Sequence, residues 1–149
     1  MKANKAKSNQ GLQFYKTDIS KTTKVALVGS PIHAGFPSPA EDYVDLSIDL
    51  NKELIKNPSS TFLARVKGLS MKDVGIHEND ILVVDKSLEA FNKCIAVCFI
   101  DGEFTLKKIK VERKCLYLMP ANEDFKPIKV TELNDFQIWG IVTYIIKKI

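Results

Sequence analysis

The chain has 149 residues, of which 45% are hydrophobic and 27% are charged, the size and composition of one ordinary globular domain. Its longest uninterrupted apolar run, Cys94 to Ile100, is far shorter than the roughly 18 residues that indicate a membrane span. No apolar segment typical of a secretory signal follows the basic N-terminus. We therefore expect a cytoplasmic protein without membrane contact.

The net charge of +4 is unevenly distributed along the chain. Residues 1–24 contain six lysines and one acid, whereas the rest contains 16 basic and 17 acidic groups. The body of the chain thus lacks the basic excess that marks a nucleic-acid-binding surface, and no direct sequence-specific DNA binding is expected. Residues 1–24 show neither helical nor strand periodicity, which predicts a solvated, poorly ordered tail. A contact between this tail and a polyanion or an acidic partner remains the alternative.

Three cysteines, Cys94, Cys98 and Cys115, lie inside apolar runs. An odd number in such positions favours reduced, buried thiols over a disulfide framework. No Cys or His pair follows at the spacing of a zinc site. We expect neither a metal nor a cofactor.

The first elements in chain order are a short strand, Val25 to Val28, and a segment over residues 29–40 with three prolines and two glycines. The proline and glycine content predicts that this segment is extended and accessible. A short helix is expected next, with Asp49 as its N-cap and Pro58 as its stop. Its predicted buried face comprises Leu50, Leu54 and Ile55.

After Pro58 the pattern is that of strands joined by short turns. An Asp-Gly pair, Asp101-Gly102, between two apolar runs is a strong hairpin signal. The fold class is therefore mainly β, built of partly coiled, largely antiparallel sheets with one short helix. The predicted strands are TFLARV, ILVV, CIAVCFI, EFTLKKIKV, CLYLM, PIKV and FQIWGIVTYII.

One serine, Ser70, lies in a predicted turn, KGLSMKD, where it is either a turn or cap residue or a nucleophile. With only two histidines in the chain, a lysine is an alternative base, since Ser–Lys pairs are a known variant of the nucleophile–base arrangement. Adjacent lysines, Lys107 and Lys108, lie in one predicted strand and point to opposite faces. Both faces carry apolar neighbours, so periodicity leaves open which lysine is buried. A buried lysine has a lowered pKa, which favours the neutral form that can accept a proton.

Several ordered motifs carry a family resemblance: AGFPSPAEDYVDLSIDLNKELIKNPS, VKGLSMKDVGIHENDILVVD, DGEFTLKKI, LMPAN and FQIWGIVTYIIK. Together they resemble the self-cleaving LexA/UmuD family of serine peptidases, and the first of them resembles its UmuD-type members. The resemblance covers about residues 33–149. It implies a largely β fold related to the catalytic domain of signal peptidases.

Transferred by position, the resemblance implies roles for individual residues. Ser70 matches the nucleophile, and Lys107, the first lysine of FTLKK, matches the general base. The bond between Ala34 and Gly35 matches the self-cleavage site. The backbone N–H groups of Leu69 and Ser70 are expected to face the developing oxyanion.

The resemblance also implies a domain organisation and partners. Residues 1–34 would be an N-terminal arm removed by self-cleavage, and residues 35–149 a β-rich peptidase and dimerisation domain. The implied partners are a second copy of the chain, a RecA–single-stranded-DNA filament that stimulates cleavage, and an error-prone polymerase of the UmuC type. Only 34 residues precede the proposed bond, too few for the helix-turn-helix domain of a repressor. The alternative function is a non-catalytic, dimeric polymerase-binding module with a vestigial dyad.

Other conspicuous side chains have structural interpretations. Asp80 and Asp85 flank a strand and are interpreted as turn and cap groups. Phe136 and Ile138 share one face of the last strand, with Trp139 on the other, which favours core packing or a dimer seam over a ligand site.

Overall fold

The computed structural model describes residues 12–22, 24–28 and 45–149. It comprises two compact units, one formed by Asn57–Ile149 together with residues 12–17, and one formed by the described part of Asp18–Lys56. Within the described residues, no helix is both long and apolar enough to cross a membrane.

Strands dominate the described residues, and helical structure is limited to one short α-helix, α1 (Leu50–Leu54), and two single-turn 3₁₀ segments, Pro58–Ser60 and Lys72–Val74. The mainly β fold class is therefore confirmed, and each strand predicted after Pro58 is present to within one residue at either end. The strands are β1 (Leu12–Lys16), β2 (Lys24–Val28), β3 (Asp45–Asp49), β4 (Thr61–Val66), β5 (Ile81–Asp85), β6 (Ile95–Ile100), β7 (Glu103–Glu112), β8 (Cys115–Met119), β9 (Ile128–Val130) and β10 (Phe136–Ile146).

Eight strands of the larger unit form a single sheet in the order β1-β4-β5-β10-β6-β7-β8-β9. All neighbours pair antiparallel. The β6–β7 connection is the predicted hairpin, with positive φ at both Asp101 (48°) and Gly102 (89°), as a type I′ turn requires. The last strand, β10, lies in the middle and pairs with β5 on one side and β6 on the other.

Side chains from the two faces of this sheet form two hydrophobic clusters, which accounts for the alternation along β10. Phe136 and Ile138 pack against the cluster of Cys94, Ala96, Cys98, Ile109, Leu118 and Ile141. Trp139 packs against the other cluster, formed by Leu12, Ala64, Val66, Met71, Ile76, Leu82, Val84, Val97 and Leu106. The predicted core role of these β10 side chains is confirmed.

Strand β1 corrects the expectation of a poorly ordered tail. It pairs with β4 along its full length. Leu12 is only 3% exposed, and Phe14 packs against Phe104 and Trp139, with ring centroids 5.0 and 4.7 Å apart. The short alternation of Leu12 and Phe14 was missed because the high lysine content around it indicated a solvated segment.

In the smaller unit, β2 pairs antiparallel with β3, with Lys24 opposite Asp49 and Val28 opposite Asp45. The chain between these two strands, residues 29–44, lies outside the described residues. The segment predicted to be extended, and with it the Ala34–Gly35 bond, therefore has no structural description.

The helix α1 follows β3 directly. Asp49 is its N-cap as predicted, since its carboxylate accepts a hydrogen bond from the backbone N–H two residues ahead at 3.1 Å. The helix ends at Leu54, before the predicted stop at Pro58. The predicted buried face is wrong, because Leu50 is exposed and Leu54 and Ile55 are only half-buried. Five residues make less than two helical turns and present no continuous apolar stripe.

Candidate active site

Ser70 lies on a tight turn that leaves β4 at its last residue. Gly68 adopts φ +96°, a left-handed conformation that glycine takes without steric cost. The turn is tied to the segment after β8, because the Asn122 side-chain amide donates to Leu69 O at 2.7 Å and the Ala121 N–H donates to Ser70 O at 2.7 Å. Ser70 is thus firmly held and half-buried, whereas residues 67–69 before it are exposed.

The backbone N–H groups of this turn are available for an incoming acceptor. In the part of the chain that the structure describes, no backbone carbonyl accepts a hydrogen bond from the N–H of Leu69 or Ser70. The side chain of Leu69 is 51% exposed and so does not seal the turn. Two neighbouring free donors beside a serine hydroxyl are the usual components of an oxyanion hole.

Lys107 lies in the middle of β7, opposite Ala96 of β6. It is 6% exposed, whereas Lys108 is only half-buried. The small Ala96 side chain leaves room for the lysine stem on that face of the sheet. Periodicity left open which of the two lysines is buried, and the structure shows that it is Lys107.

The Lys107 amino group has three polar neighbours within hydrogen-bonding reach. Nζ lies 3.3 Å from Ser70 Oγ, 2.8 Å from Thr105 Oγ1 and 3.1 Å from Leu106 O. Ser70 and Lys107, 37 residues apart in sequence, are thereby brought together.

Burial lowers the pKa of Lys107 below its ordinary value, because the charged ammonium loses hydration. The opposing influence is that of the Cys98 thiolate, which would favour the ammonium. Burial, however, raises the pKa of Cys98 to about 12, so this thiol is neutral near pH 7. Among the described residues, no carboxylate forms an ion pair with Lys107. The site therefore favours an uncharged amine.

A small cavity of about 60 Å³ adjoins Ser70. Leu12 of β1 forms part of its wall, facing the turn residues and β7. Its mixed lining consists of Leu12, Val66, Lys67, Gly68, Ser70, Met71, Phe104, Thr105 and Leu106. A space of this size beside the hydroxyl suits a small side chain.

Sequence reasoning missed two polar contributors to this site. Asn122 holds the carbonyl of Leu69, and Thr105 holds the amine of Lys107. Asn122 ends the LMPAN motif, so a signal for it was present, but neither periodicity nor spacing indicated its partner. Thr105 shares a strand face with Lys107, which was visible from the two-residue alternation. Ala34 and Gly35 lie outside the described residues, and the structure does not place them.

Comparison with known proteins identifies the class to which this fold and site belong. Residues 26–143 match the peptidase S24-like family model, which covers most of the chain. The chain therefore belongs to the S24 peptidase family of LexA/UmuD-type, self-cleaving serine peptidases.

Individual relatives agree with this assignment. The chain is 39% identical over 133 residues to the protein MucA of Salmonella typhimurium, covering 88% of this chain and 90% of MucA. It is 41% identical over 115 residues to SamA of Salmonella typhimurium strain LT2, covering 77% of this chain and 79% of SamA. The LexA repressor of Pectobacterium carotovorum is 35% identical over 130 residues, which are 87% of this chain and 63% of the repressor.

Proposed function

We propose that the chain cleaves its own Ala34–Gly35 bond, with Ser70 as nucleophile and Lys107 as general base. The observation that carries this proposal is a buried lysine amine, without an ionic partner among the described residues, at 3.3 Å from a serine hydroxyl. A lysine in this state can accept the serine proton, which an exposed ammonium cannot. The hydroxyl oxygen then attacks the carbonyl carbon of Ala34.

The hydrogen bonds around Nζ suit a neutral amine. A neutral lysine has two N–H donors and one lone pair. Thr105 Oγ1 and Leu106 O are two acceptors at 2.8 and 3.1 Å, so both donors are used and the lone pair is left for the Ser70 hydroxyl. The acceptors thus orient the amine as well as satisfying it.

The proton then passes to the leaving group. Attack by Ser70 produces a tetrahedral oxyanion, which the N–H groups of Leu69 and Ser70 would stabilise. The ammonium formed on Lys107 returns its proton to the amine of Gly35, leaving an ester between Ser70 and Ala34. Water, deprotonated by the same lysine, hydrolyses the ester. The cavity of about 60 Å³ fits alanine at the cleaved bond.

Membership of the family supports a proposal for the wider role. We propose a cytoplasmic homodimer whose cleavage is stimulated by a RecA–single-stranded-DNA filament during the SOS response. Its cleaved form would serve as accessory subunit of an error-prone translesion polymerase of the UmuC type. Residues 35–149 would form the peptidase and dimerisation domain.

Intact-mass measurement of the purified protein, held at alkaline pH or incubated with an activated RecA filament, tests this function. Cleavage at Ala34–Gly35 divides the 149-residue chain into fragments of 34 and 115 residues. Ser70→Ala should abolish the cut while the circular dichroism spectrum stays native. A folded Ser70→Ala protein that still cleaves would exclude Ser70 as nucleophile, and an uncut wild-type chain under both conditions would favour the non-catalytic module.

A second variant tests the position of the bond. Gly35→Glu adds a bulky, charged side chain where the chain must approach the Ser70 hydroxyl closely. Cleavage should be blocked without loss of fold, as judged by thermal melting. An unchanged rate would show that this bond does not react with Ser70.

A further inference from the structure

Two strands precede the proposed cleavage bond in the chain, β1 in the larger unit and β2 in the smaller unit. Each of them pairs with a strand that lies after the bond. β1 pairs with β4 over five positions, from Leu12 opposite Val66 to Lys16 opposite Phe62. β2 pairs with β3 over five positions, from Lys24 opposite Asp49 to Val28 opposite Asp45. Cleavage between residues 34 and 35 breaks a peptide bond and leaves every residue of both ladders in place.

We infer that self-cleavage nicks the molecule without releasing the N-terminal fragment, which stays bound as the edge strand β1 and as the partner of β3. This inference rests on the proposed cleavage at Ala34–Gly35. The primary product is then a non-covalent complex of residues 1–34 with residues 35–149. Release of the fragment is a separate event that follows the chemistry.

The packing of β1 supports retention beyond its backbone ladder. Leu12 is 3% exposed and belongs to the main hydrophobic cluster. Phe14 joins an aromatic group with Phe104 and Trp139, and the Thr17 hydroxyl donates to Thr61 O at 3.2 Å. Removal of β1 would expose this apolar surface and leave one edge of β4 unpaired, which is unfavourable in water.

Retention also has a consequence for the site itself. Leu12 lines the cavity beside Ser70. While the fragment remains bound, Leu12 of β1 still forms part of the cavity wall. Ser70 is then enclosed on the β1 side even though the chain has been cut. Only release opens both the edge of β4 and the cavity.

The test measures whether the N-terminal fragment stays bound after the chain is cut in two independent ways. In the first, the wild-type chain cleaves itself. In the second, a Ser70→Ala chain carries the recognition sequence of a site-specific exogenous protease between Ala34 and Gly35 and is cut by that protease. Denaturing mass spectrometry confirms the nick, and native mass spectrometry and size-exclusion chromatography at about 10 µM protein report whether the two fragments stay together.

We expect the fragments to co-migrate natively by both routes. Phe14→Ala should raise the fragment's dissociation constant at least about a hundredfold, the effect of deleting a packed aromatic side chain. The matched control is Gln13→Ala on the opposite face of β1, with a change below about threefold. Circular dichroism of the uncut variants verifies that each is folded, and Leu12→Ala replaces Phe14→Ala if the latter is not.

Separation of the fragments in both routes overturns the inference and leaves the proposed cleavage intact. Equal retention in the Phe14→Ala and Gln13→Ala proteins also overturns it, because the fragment would then be held elsewhere than through β1. If the wild-type chain does not cut itself, the proposed function fails, and the exogenous-protease route still decides whether the fragment is retained.

Discussion

Lys107 and Asp85 are both buried, at 6% and 4% exposure. The surroundings of Asp85 favour its charged form, whereas those of Lys107 favour its neutral form. Asp85 accepts hydrogen bonds from Asn57 (2.6 Å), Ser60 (3.0 Å) and Ser87 (2.7 Å). Burial alone would raise the pKa of Asp85, but these donors outweigh it, and its pKa lies below the ordinary value. Within the described ranges, the acceptors around the Lys107 amine are all neutral, and burial lowers the pKa of Lys107.

The difference shows how one fold can hold a structural charge and, elsewhere, a lysine that we propose as general base. The donors around Asp85 stabilise its ionised form, so this carboxylate joins β5 to the chain before β4 and takes no part in chemistry. Among the described residues nothing stabilises the Lys107 ammonium in this way, so burial shifts this lysine toward its neutral form.

Of the two compared residues, replacing Lys107 should have the largest effect, a loss of self-cleavage. Lys107→Ala and Lys107→Arg should each reduce the rate of self-cleavage at least about a thousandfold, the second because a guanidinium does not deprotonate in the accessible pH range. Wild-type cleavage should rise as pH increases through the lowered pKa of Lys107, since only the neutral amine accepts a proton. Intact-mass time courses across pH measure these rates.

The control for this prediction is Lys108→Ala, which removes the neighbouring, half-buried lysine. It should retain most of the activity. A folded Lys108→Ala protein without activity, or a Lys107→Arg protein whose cleavage still rises at alkaline pH, would refute the assignment of the base.

The next experiment gives Lys107 an ionic partner, which it does not have among residues 12–22, 24–28 and 45–149. In Thr105→Asp a carboxylate replaces the hydroxyl that lies 2.8 Å from Nζ. The negative charge favours the ammonium and should shift the pH–rate profile upward by more than about one unit. Thr105→Asn is the matched neutral control. Identical profiles for the aspartate and asparagine variants would mean that the charge state of Lys107 does not limit cleavage.

Removing the structural charge should affect stability and leave the chemistry unaltered. Asp85→Ala deprives four donor groups of Asn57, Ser60 and Ser87 of their acceptor and should lower the free energy of unfolding by about 2–3 kcal/mol. Because the folded-state pKa of Asp85 is depressed, its contribution is present above the unfolded pKa of about 3.9 and is lost as pH falls through the folded value.

Urea unfolding of wild type and Asp85→Ala at pH 7 and in the acid range measures this contribution. The difference between the two proteins should shrink as pH falls. Ser87→Ala, which removes one donor and keeps the carboxylate, is the control and should cost less. A difference that is constant across pH would show that the ionisation of Asp85 is not what stabilises the fold.

The smallest effect is expected at the ion pair between Lys147 and Asp80. The lysine side chain is 37% exposed and that of Asp80 only 7%, so solvent screens the pair on the lysine side. Because Asp80 keeps the hydrogen bond from the His77 N–H, Lys147→Ala should cost about 1 kcal/mol. Added salt should reduce the loss. Thermal melting at low and high salt measures the loss of stability in Lys147→Ala, with Lys148→Ala as the control. A loss as large as that in Asp85→Ala would contradict the expectation that this ion pair contributes least.

Much of the fold was predictable because its strands are strongly patterned. The apolar alternation after Pro58 and the Asp101-Gly102 turn indicated the strands and one hairpin correctly. The order of strands was not predictable, since the pairing of β10 with both β5 and β6 depends on contacts distant in sequence. β1 was missed for a local reason: its five residues show too little apolar alternation to stand out from the lysine-rich sequence around them.

The candidate site was only partly predictable from the residues. Two-residue periodicity placed Lys107 and Lys108 on opposite faces but could not choose between them, because burial depends on packing between segments that are distant in sequence. The family resemblance chose Lys107, and the structure places that lysine beside Ser70. The contact of Asn122 with Leu69 joins segments 53 residues apart, beyond what any local pattern reports.

The central position of β10 has a consequence for the timing of synthesis. It is the last of the described strands in chain order, yet it joins the half of the sheet next to Ser70 to the half that carries Lys107. On the ribosome, both residues emerge before the strand that connects their halves. A growing chain therefore lacks the strand that joins the proposed nucleophile to the proposed base, and we expect self-cleavage only after translation has passed residue 146.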